Sequence, residues 1–332
     1  MSFTYQNLQS EIVAASSDDQ FAQAVLEGLS RNPKRLPSWL IYDDRGSEIF
    51  TEITQLVGYH PAQCEFEIFE QQKQVITDIL PKDAFRVIEL GSGDGQKTHI
   101  LLKHLIQSKL TFDYVPIDIS EGAIKDLVDF LKSRFSQSSM SVTGLAADYF
   151  DGLQVIREYP NRRNIVLFLG STIGNMELPA AEQFVGKLQQ SLKPGDYVMI
   201  GFDLMKHPKT LYAAYNDSTG VFERFNLNLL DVLNRKLGAN FSKDHFVQQG
   251  HYNPKSHAVE SYIYSTRKQS VFIEALEKEF FFEAWEAMQS EHSYKYTQSE
   301  IESLAENSGY RIVTNLFDEH HHFVDSIWEV KQ

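Results

Sequence analysis

From about residue 87 to residue 201, short runs of β-branched and aromatic residues alternate with stretches whose apolar positions recur at helical spacing. The pattern predicts strands over 86–90, 113–117, Ser141–Ala146, 165–169 and 197–202, with helices near 97–106, 123–135 and 180–192. Regular alternation of strand and helix implies a parallel, doubly wound sheet. Pro194-Gly195-Asp196 is the turn that stops the last of these helices before its strand. Towards the C-terminus, Thr297 and Glu300 are spaced as a capping box opening a helix. The runs at Tyr310–Phe317 and Phe323–Val330 then form a hairpin that completes a seven-stranded sheet.

Between residues 204 and 293 the texture changes. A long helical pattern over 210–237 precedes a strand-rich stretch, 251–253, 258–266 and Gln269–Ile273, with a turn at Asn253-Pro254-Lys255-Ser256. The segment before the first sheet strand carries its own helix, opening at Ser17-Asp18-Asp19. The expectation is an α/β protein of two domains: residues 63–203 and 297–332 build the sheet, while 1–62 and 204–296 form a second, smaller α+β domain.

Composition narrows the function classes. A formal net charge of −14, with no cluster of lysine or arginine, argues against a nucleic-acid partner, because phosphate neutralisation needs a basic face. No stretch approaches ~18 consecutive apolar residues, and the N-terminus has no basic segment followed by an apolar run. A cytoplasmic protein with no membrane partner is expected. The single cysteine, Cys64, fits a reducing compartment and is expected as a small buried residue.

Residues 86–98, RVIELGSGDGQKT, join a strand to a glycine-rich turn and a helix. Such a turn lets the backbone approach a nucleotide-like ligand at the carboxyl end of the sheet. Glu89 ends the strand, and Gly91, Gly93 and Gly95 alternate, whereas the dinucleotide fingerprint is G-x-G-x-x-G. This spacing favours S-adenosylmethionine over NAD. Asp118, at the end of the next strand, is placed to accept both hydroxyls of a ribose.

Other candidates each admit a structural and a functional reading. In Leu169-Gly170-Ser171-Thr172-Ile173-Gly174-Asn175, Asn175 either caps a helix or presents an amide that can donate to a carboxylate and accept from an ammonium. Tyr59, in Tyr59-His60-Pro61, is a half-buried aromatic or a ligand to a polar group, and Pro61 is expected to hold His60 extended. Tyr215 lies on a helical pattern, where packing is the usual role. Glu291 and Ser293 share one face of a strand, which is either a solvated face or a carboxylate and hydroxyl that together hold an imidazole. Glu319-His320-His321-His322 is expected to be a solvated turn, with no metal site.

Taken together, the chain resembles the L-histidine Nα-methyltransferase family, which opens ergothioneine biosynthesis. The resemblance spans nearly all of it. Its carriers are Pro37-Ser38-Trp39-Leu40-Ile41-Tyr42-Asp43, Arg45-Gly46-Ser47-Glu48 with Phe50, Glu89-Leu90-Gly91-Ser92-Gly93 with Lys97-Thr98, and Leu169 to Asn175. Further matches are Asp203-Leu204, Tyr215-Asn216-Asp217, Phe225-Asn226 with Asn228, and Glu291-x-Ser293-x-Lys295. The resemblance implies a class I S-adenosylmethionine-dependent methyltransferase, Rossmann-like, with a substrate-binding domain. Its cofactor residues would be Glu89, Gly91, Ser92, Gly93, Lys97, Asp118, Asp148 and Tyr149. Its substrate residues would be Tyr59, Gly170, Asn175, Tyr215, Ser261, Glu291 and Ser293, with Tyr59 and Asn175 catalytic.

The implied reaction is successive methylation of the α-amine of histidine to the betaine hercynine, by a monomer acting on a small-molecule amino acid. Two departures bear on the pocket: His60 replaces a second tyrosine, and Ser261 replaces a methionine near the imidazole. They leave open the same chemistry on another amino acid or an indole amine, such as tryptophan or a prenylated tryptophan.

Overall fold

The computed structural model describes residues 2–8, 11–159 and 162–331, without the side chains of 11–18. The chain divides into two compact units. The larger comprises Met1–Ser10, Gln63–Leu204 and Tyr296–Gln332, and the smaller Glu11–Ala62 and Met205–Lys295.

The larger unit is built on an eight-stranded sheet. In spatial order the strands are Phe3–Asn7, Ser141–Ala146, Phe112–Asp118, Phe85–Leu90, Arg163–Phe168, Tyr197–Asp203, Phe323–Val330 and Tyr310–Phe317. The first six run parallel, Phe323–Val330 runs antiparallel to them, and Tyr310–Phe317 is antiparallel to Phe323–Val330. Phe85–Leu90 is buried at every residue, as a central parallel strand covered on both faces must be. From it the chain winds outward to one side through Phe112–Asp118 and then to the other through Arg163–Phe168. That reversal opens a crevice outside the carboxyl ends of the adjacent strands Phe85–Leu90 and Arg163–Phe168, where ligands bind in open α/β sheets.

Seven of these strands match the expected sheet, and the eighth corrects it. Phe3–Asn7 lies parallel to Ser141–Ala146, with Val142 N–H donating to Ser2 O at 2.8 Å and Leu8 N–H to Ala146 O at 3.0 Å. Residues 2–8 therefore lie along this sheet. Without this strand Ser141–Ala146 would be an exposed edge with a row of unpaired backbone groups. The capping box at Thr297 is present, and the final hairpin forms with a bulge between Ile312 and Thr314.

In the smaller unit a four-stranded sheet runs in the order Lys34–Arg35, Ala287–Tyr294, Ala258–Ser265 and Phe246–Asn253, and Gln269–Ile273 pairs with Lys278–Phe282. Its core gathers Val25, Leu40, Ile53, Phe225, Leu229, Leu233 and Ile263. The single helix expected over 210–237 is two, Pro208–Ala214 and Val221–Leu237. Gly220, at φ 73°, breaks the run, and the Asp217 carboxylate accepts from the N–H groups of Thr219, Val221 and Phe222 to restart it. The first helix opens at Glu11, earlier than expected. His60 is helical, contrary to expectation: it begins the helix His60–Ile79, and Pro61 sits in the first turn, where its missing N–H costs nothing. No described helix is long and apolar enough to cross a membrane.

Candidate functional site

In the larger unit the glycine turn has the geometry its sequence implied. Gly91, Gly93 and Gly95 all have positive φ, and a Cβ on Gly91 would lie 2.8 Å from the Tyr149 hydroxyl. Gly91 N–H donates to Ile117 O at 2.8 Å, and Gly93 N–H to the Asp118 carboxylate at 3.1 Å. Asp118 also accepts from Ser120 N–H at 3.0 Å. The turn and the end of the neighbouring strand are thus held as one piece. Asp148 caps the helix Tyr149–Ile156 by accepting from Phe150 N–H. The Tyr149 ring packs edge-on against Phe168 and Phe184.

These residues fit an adenosyl ligand. The buried Ser92 hydroxyl has no protein partner, nothing lies within 4 Å of the Cβ position of Gly93, and Asp118 offers a carboxylate beside both. A ligand carrying hydroxyls and a cationic centre matches that donor and acceptor set.

Glu89 is buried at the end of the strand that leads into the turn. Its carboxylate accepts from the hydroxyls of Thr98 and Tyr114, which ties the strand, its neighbour and the following helix together beneath the turn. Burial pushes its pKa up to about 7 despite these donors. Lys97, expected at the cofactor, is ion-paired with Glu65, which is fully buried. Burial works against the Lys97 ammonium, but Glu65, with Asp325 and Glu89, outweighs it and holds the pKa above its ordinary value. Glu65 also accepts from Gly170 N–H at 2.7 Å. Asp325 lies beside it, and burial together with Glu65 raises the Asp325 pKa well above the carboxylate range.

Sequence reasoning missed Glu65. On an amphipathic helix it resembles any surface acid, and only the fold shows its partners.

Gly170 and Ser171 both have positive φ, so the chain turns sharply after Arg163–Phe168 into the short 3-10 helix Thr172–Asn175. The Asn175 side chain does not cap the next helix, whose cap position is Glu177, and makes no hydrogen bond to a described residue. A half-buried amide without a protein partner at the carboxyl end of the sheet is available to a ligand.

The histidine run lies in the turn between the last two strands, with His320 and His321 exposed. Asp318 organises this turn, accepting from the N–H groups of His320, His322 and Phe323. The ligand atoms of Cys64, Asp318 and His322 lie within 4.8 Å of one another. Cys64 is buried, as expected.

The smaller unit holds the second constellation. A bulge between Gln289 and Glu291 sets the strand Ala287–Tyr294 so that Glu291 pairs with Ser261 and Ser293 with Val259. Glu291 is 7% exposed and accepts from Asn226 Nδ2 at 3.4 Å and Ser261 Oγ at 3.3 Å. Both bonds are long, and burial raises the Glu291 pKa despite them and the nearby Lys295 charge. Neighbouring Glu260 shows the contrast: Tyr262, Ser256 and Asn253 donate to it at 2.6 to 3.2 Å and outweigh burial, so its pKa is lowered. Glu291 is therefore an under-satisfied carboxylate and Glu260 a satisfied one.

Two residues on from Glu291, Ser293 accepts from the Tyr215 hydroxyl at 2.8 Å and from Lys295 Nζ at 2.6 Å. Lys295 also donates to Tyr215 Oη at 2.7 Å. Tyr215 follows the helix Pro208–Ala214, and its ring stands edge-on to Tyr59, 6.0 Å away. Asn226 is fully buried, accepts a hydrogen bond from Ser290 Oγ at 2.6 Å through its Oδ1 and donates from its Nδ2 to Glu291. Asn226 and Lys295 stood in the family motifs, but no role for either was legible without the contacts.

The comparisons with known proteins agree with this picture. A family model described as histidine-specific, SAM-dependent methyltransferase matches residues 21–330. The histidine N-alpha-methyltransferase of Mycolicibacterium smegmatis is 31% identical over 92% of this chain and 93% of its own length. That of Mycobacterium tuberculosis is 33% identical over 82% and 83%. Ergothioneine biosynthesis protein 1 of Neurospora crassa is 30% identical over 83% of this chain, which spans 31% of that protein. The glycine turn with its acidic partners, the mostly parallel sheet and a match to nearly the whole length lead to one assignment: the chain belongs to the family of histidine-specific, S-adenosylmethionine-dependent methyltransferases.

Proposed function

We propose that this protein methylates the α-amine of L-histidine successively to the trimethylated betaine hercynine. Glu291 carries this reading: it is a buried carboxylate with only long bonds from Asn226 and Ser261, one strand face shared with the Ser293 hydroxyl. Residues two apart on a strand are separated by about 7 Å. That distance leaves room for a small heteroaromatic ring with a hydrogen bond at each end. An imidazole offers an N–H to Glu291 and a second nitrogen to Ser293.

S-adenosylmethionine, when bound, supplies a methyl group on a sulfonium, which is already a strong electrophile. In the larger unit Gly91, Ser92 and Gly93 would hold it by backbone and hydroxyl, Asp118 would take its ribose, and Asp148 and Tyr149 would lie beside its adenine. Glu89 and Lys97 would support that turn from beneath. What remains for the protein is positioning, which can lower a barrier by several kcal/mol. Asn175, beside Gly170, would bind the α-carboxylate and orient the amine. In the smaller unit Tyr59 would line the substrate side together with Tyr215, whose hydroxyl proton goes to Ser293. A free α-amine has a pKa near ~8, so a strong general base is unnecessary. Tyr59 or solvent can carry the proton away.

Each methylation removes an N–H donor from the amine. Grip must therefore come from the carboxylate and the imidazole, which matches the roles given to Asn175 and Glu291. The reading includes a monomer acting in the cytoplasm, with residues 63–203 and 297–332 serving the cofactor and the insertion serving the substrate.

The alternative is the same chemistry on tryptophan, a prenylated tryptophan or another amino acid, and Ser261 favours it by being small at a buried pocket position, 1% exposed. The test is mass spectrometry of products from S-adenosylmethionine and an equimolar panel of these amino acids. Trimethylhistidine as the dominant product supports the proposal. A methylated indole, or no product, overturns it.

A further inference from the structure

Lys295 is fully buried, and two hydroxyls accept from its ammonium. Its ammonium donates to Tyr215 Oη and Ser293 Oγ and lies 4.7 Å from the Tyr215 ring centroid. The Tyr215 hydroxyl itself donates to Ser293. A serine oxygen has two lone pairs and one proton. Tyr215 and Lys295 occupy both lone pairs of Ser293, so its remaining capacity is that of a donor. Lysine has no acceptor and cannot reverse this polarity.

We propose that Lys295 is a positioning residue that locks Ser293 as a hydrogen-bond donor, so that the pocket selects a ring carrying one N–H and one bare nitrogen, the neutral imidazole. This rests on the reading that Glu291 and Ser293 hold the side chain of histidine. The pair is complementary by charge and by proton count: Glu291 accepts and Ser293 donates. An indole has no bare nitrogen and leaves the Ser293 proton without a partner. An imidazolium has two N–H groups and sets one of them against that proton. A site built to bond a polar ligand discriminates strongly against analogues that cannot complete the bonds.

The other titratable groups around the cluster are Glu291 and His292 on the same strand, Glu260 on the paired strand, His257, whose carbonyl accepts Lys295 N–H, and Tyr59 against Tyr215. None of them takes a lone pair of Ser293.

The experiment compares the affinities of histidine and β-(2-thienyl)alanine, which keeps a five-membered ring but lacks both nitrogens. Binding is measured by calorimetry with S-adenosylhomocysteine present, from pH 5.5 to 8.5, for the wild type, Lys295→Met, Ser293→Ala and the double variant. The ratio of the two affinities cancels titration of the shared amine. In the wild type it should fall as pH drops below about 6.5, where free imidazole protonates. In Lys295→Met the ratio at pH 8 should fall about tenfold or more. Its acid decline should also flatten, because Ser293 can then turn and accept from imidazolium. The double variant should resemble Ser293→Ala.

A Lys295→Met protein that keeps the wild-type ratio and pH profile would show Lys295 to be only structural and overturn the proposal, however much total affinity is lost. Should Lys295→Met fail to fold, Ser293→Ala alone decides: an unchanged ratio and acid limb overturn it, and loss of both supports it. Failure of the functional reading itself shows separately, as a wild type that neither binds nor methylates histidine.

Discussion

The Glu65 carboxylate accepts the backbone N–H of Gly170 at 2.7 Å and pairs through its other oxygen with Lys97. One buried side chain therefore joins the helix His60–Ile79, the residue that precedes the helix Thr98–Gln107 and the turn that leads to Asn175.

Glu65→Ala should destabilise the protein by about 3–5 kcal/mol, since removing one partner of a buried pair leaves an uncompensated charge on Lys97. Glu65→Gln should be milder, because its amide oxygen can still accept from Gly170. Urea unfolding of both variants checks the order; equal losses would mean that the ion pair, lost in both, and not the Gly170 bond is what matters.

Glu89 gives a pH signature. Its pKa in the folded protein is about 7 and its ordinary value is 4.5, raised by burial. A raised carboxyl favours the folded state in its neutral form, so the benefit is full below pH 4.5 and lost as pH climbs through 7. The difference corresponds to about 3 kcal/mol. Stability of the wild type relative to Glu89→Gln should decline between pH 4.5 and 7 and level off above. A flat difference across that range would place the titration elsewhere.

Gly91→Ala combines two faults, a positive φ of 73° and a Cβ 2.8 Å from the Tyr149 hydroxyl. S-adenosylhomocysteine binding should weaken at least tenfold, and stability should fall by about 1–2 kcal/mol from the backbone alone. Adding Tyr149→Phe should recover part of the loss by removing the hydroxyl, but not the φ strain. Calorimetry on the single and double variants separates the two.

Asn175→Ala should leave the melting temperature within a degree or so, because its amide bonds no described residue, while kcat/KM for histidine falls about 100-fold. A charge-assisted bond to a carboxylate is worth roughly 1.5–3 kcal/mol. Unchanged kinetics would remove Asn175 from the site.

What was legible beforehand divides by range of interaction. The parallel sheet, the glycine turn and the capping box of Thr297 rest on local periodicity and on backbone conformations that only certain residues tolerate, so they can be read within a window of a few residues. The break at Gly220 was harder to see because the flanking apolar pattern runs on at helical spacing; Asp217, which caps the restart, looks like any surface acid until the backbone turns towards it.

Local rules also stopped at Phe3–Asn7. Its place is set by an edge strand some 140 residues later in the chain that needed pairing.

The amino-acid sequence by itself determined the fold class, the position of the cofactor turn and, through its motifs, the family. Only the tertiary structure decided which carboxylates are satisfied and which are not. Glu291 and Glu260 stand on paired strands, yet bonds from Tyr262, Ser256 and Asn253 lower the pKa of Glu260, while Glu291, more deeply enclosed and with two long bonds, has its pKa raised by burial. Hydrogen-bond polarity is equally non-local: Ser293 is a donor because Tyr215, 78 residues earlier, and Lys295 fill its lone pairs. Such properties depend on distances of a few tenths of an ångström between residues far apart in the chain, and no pattern along the chain encodes them one residue at a time.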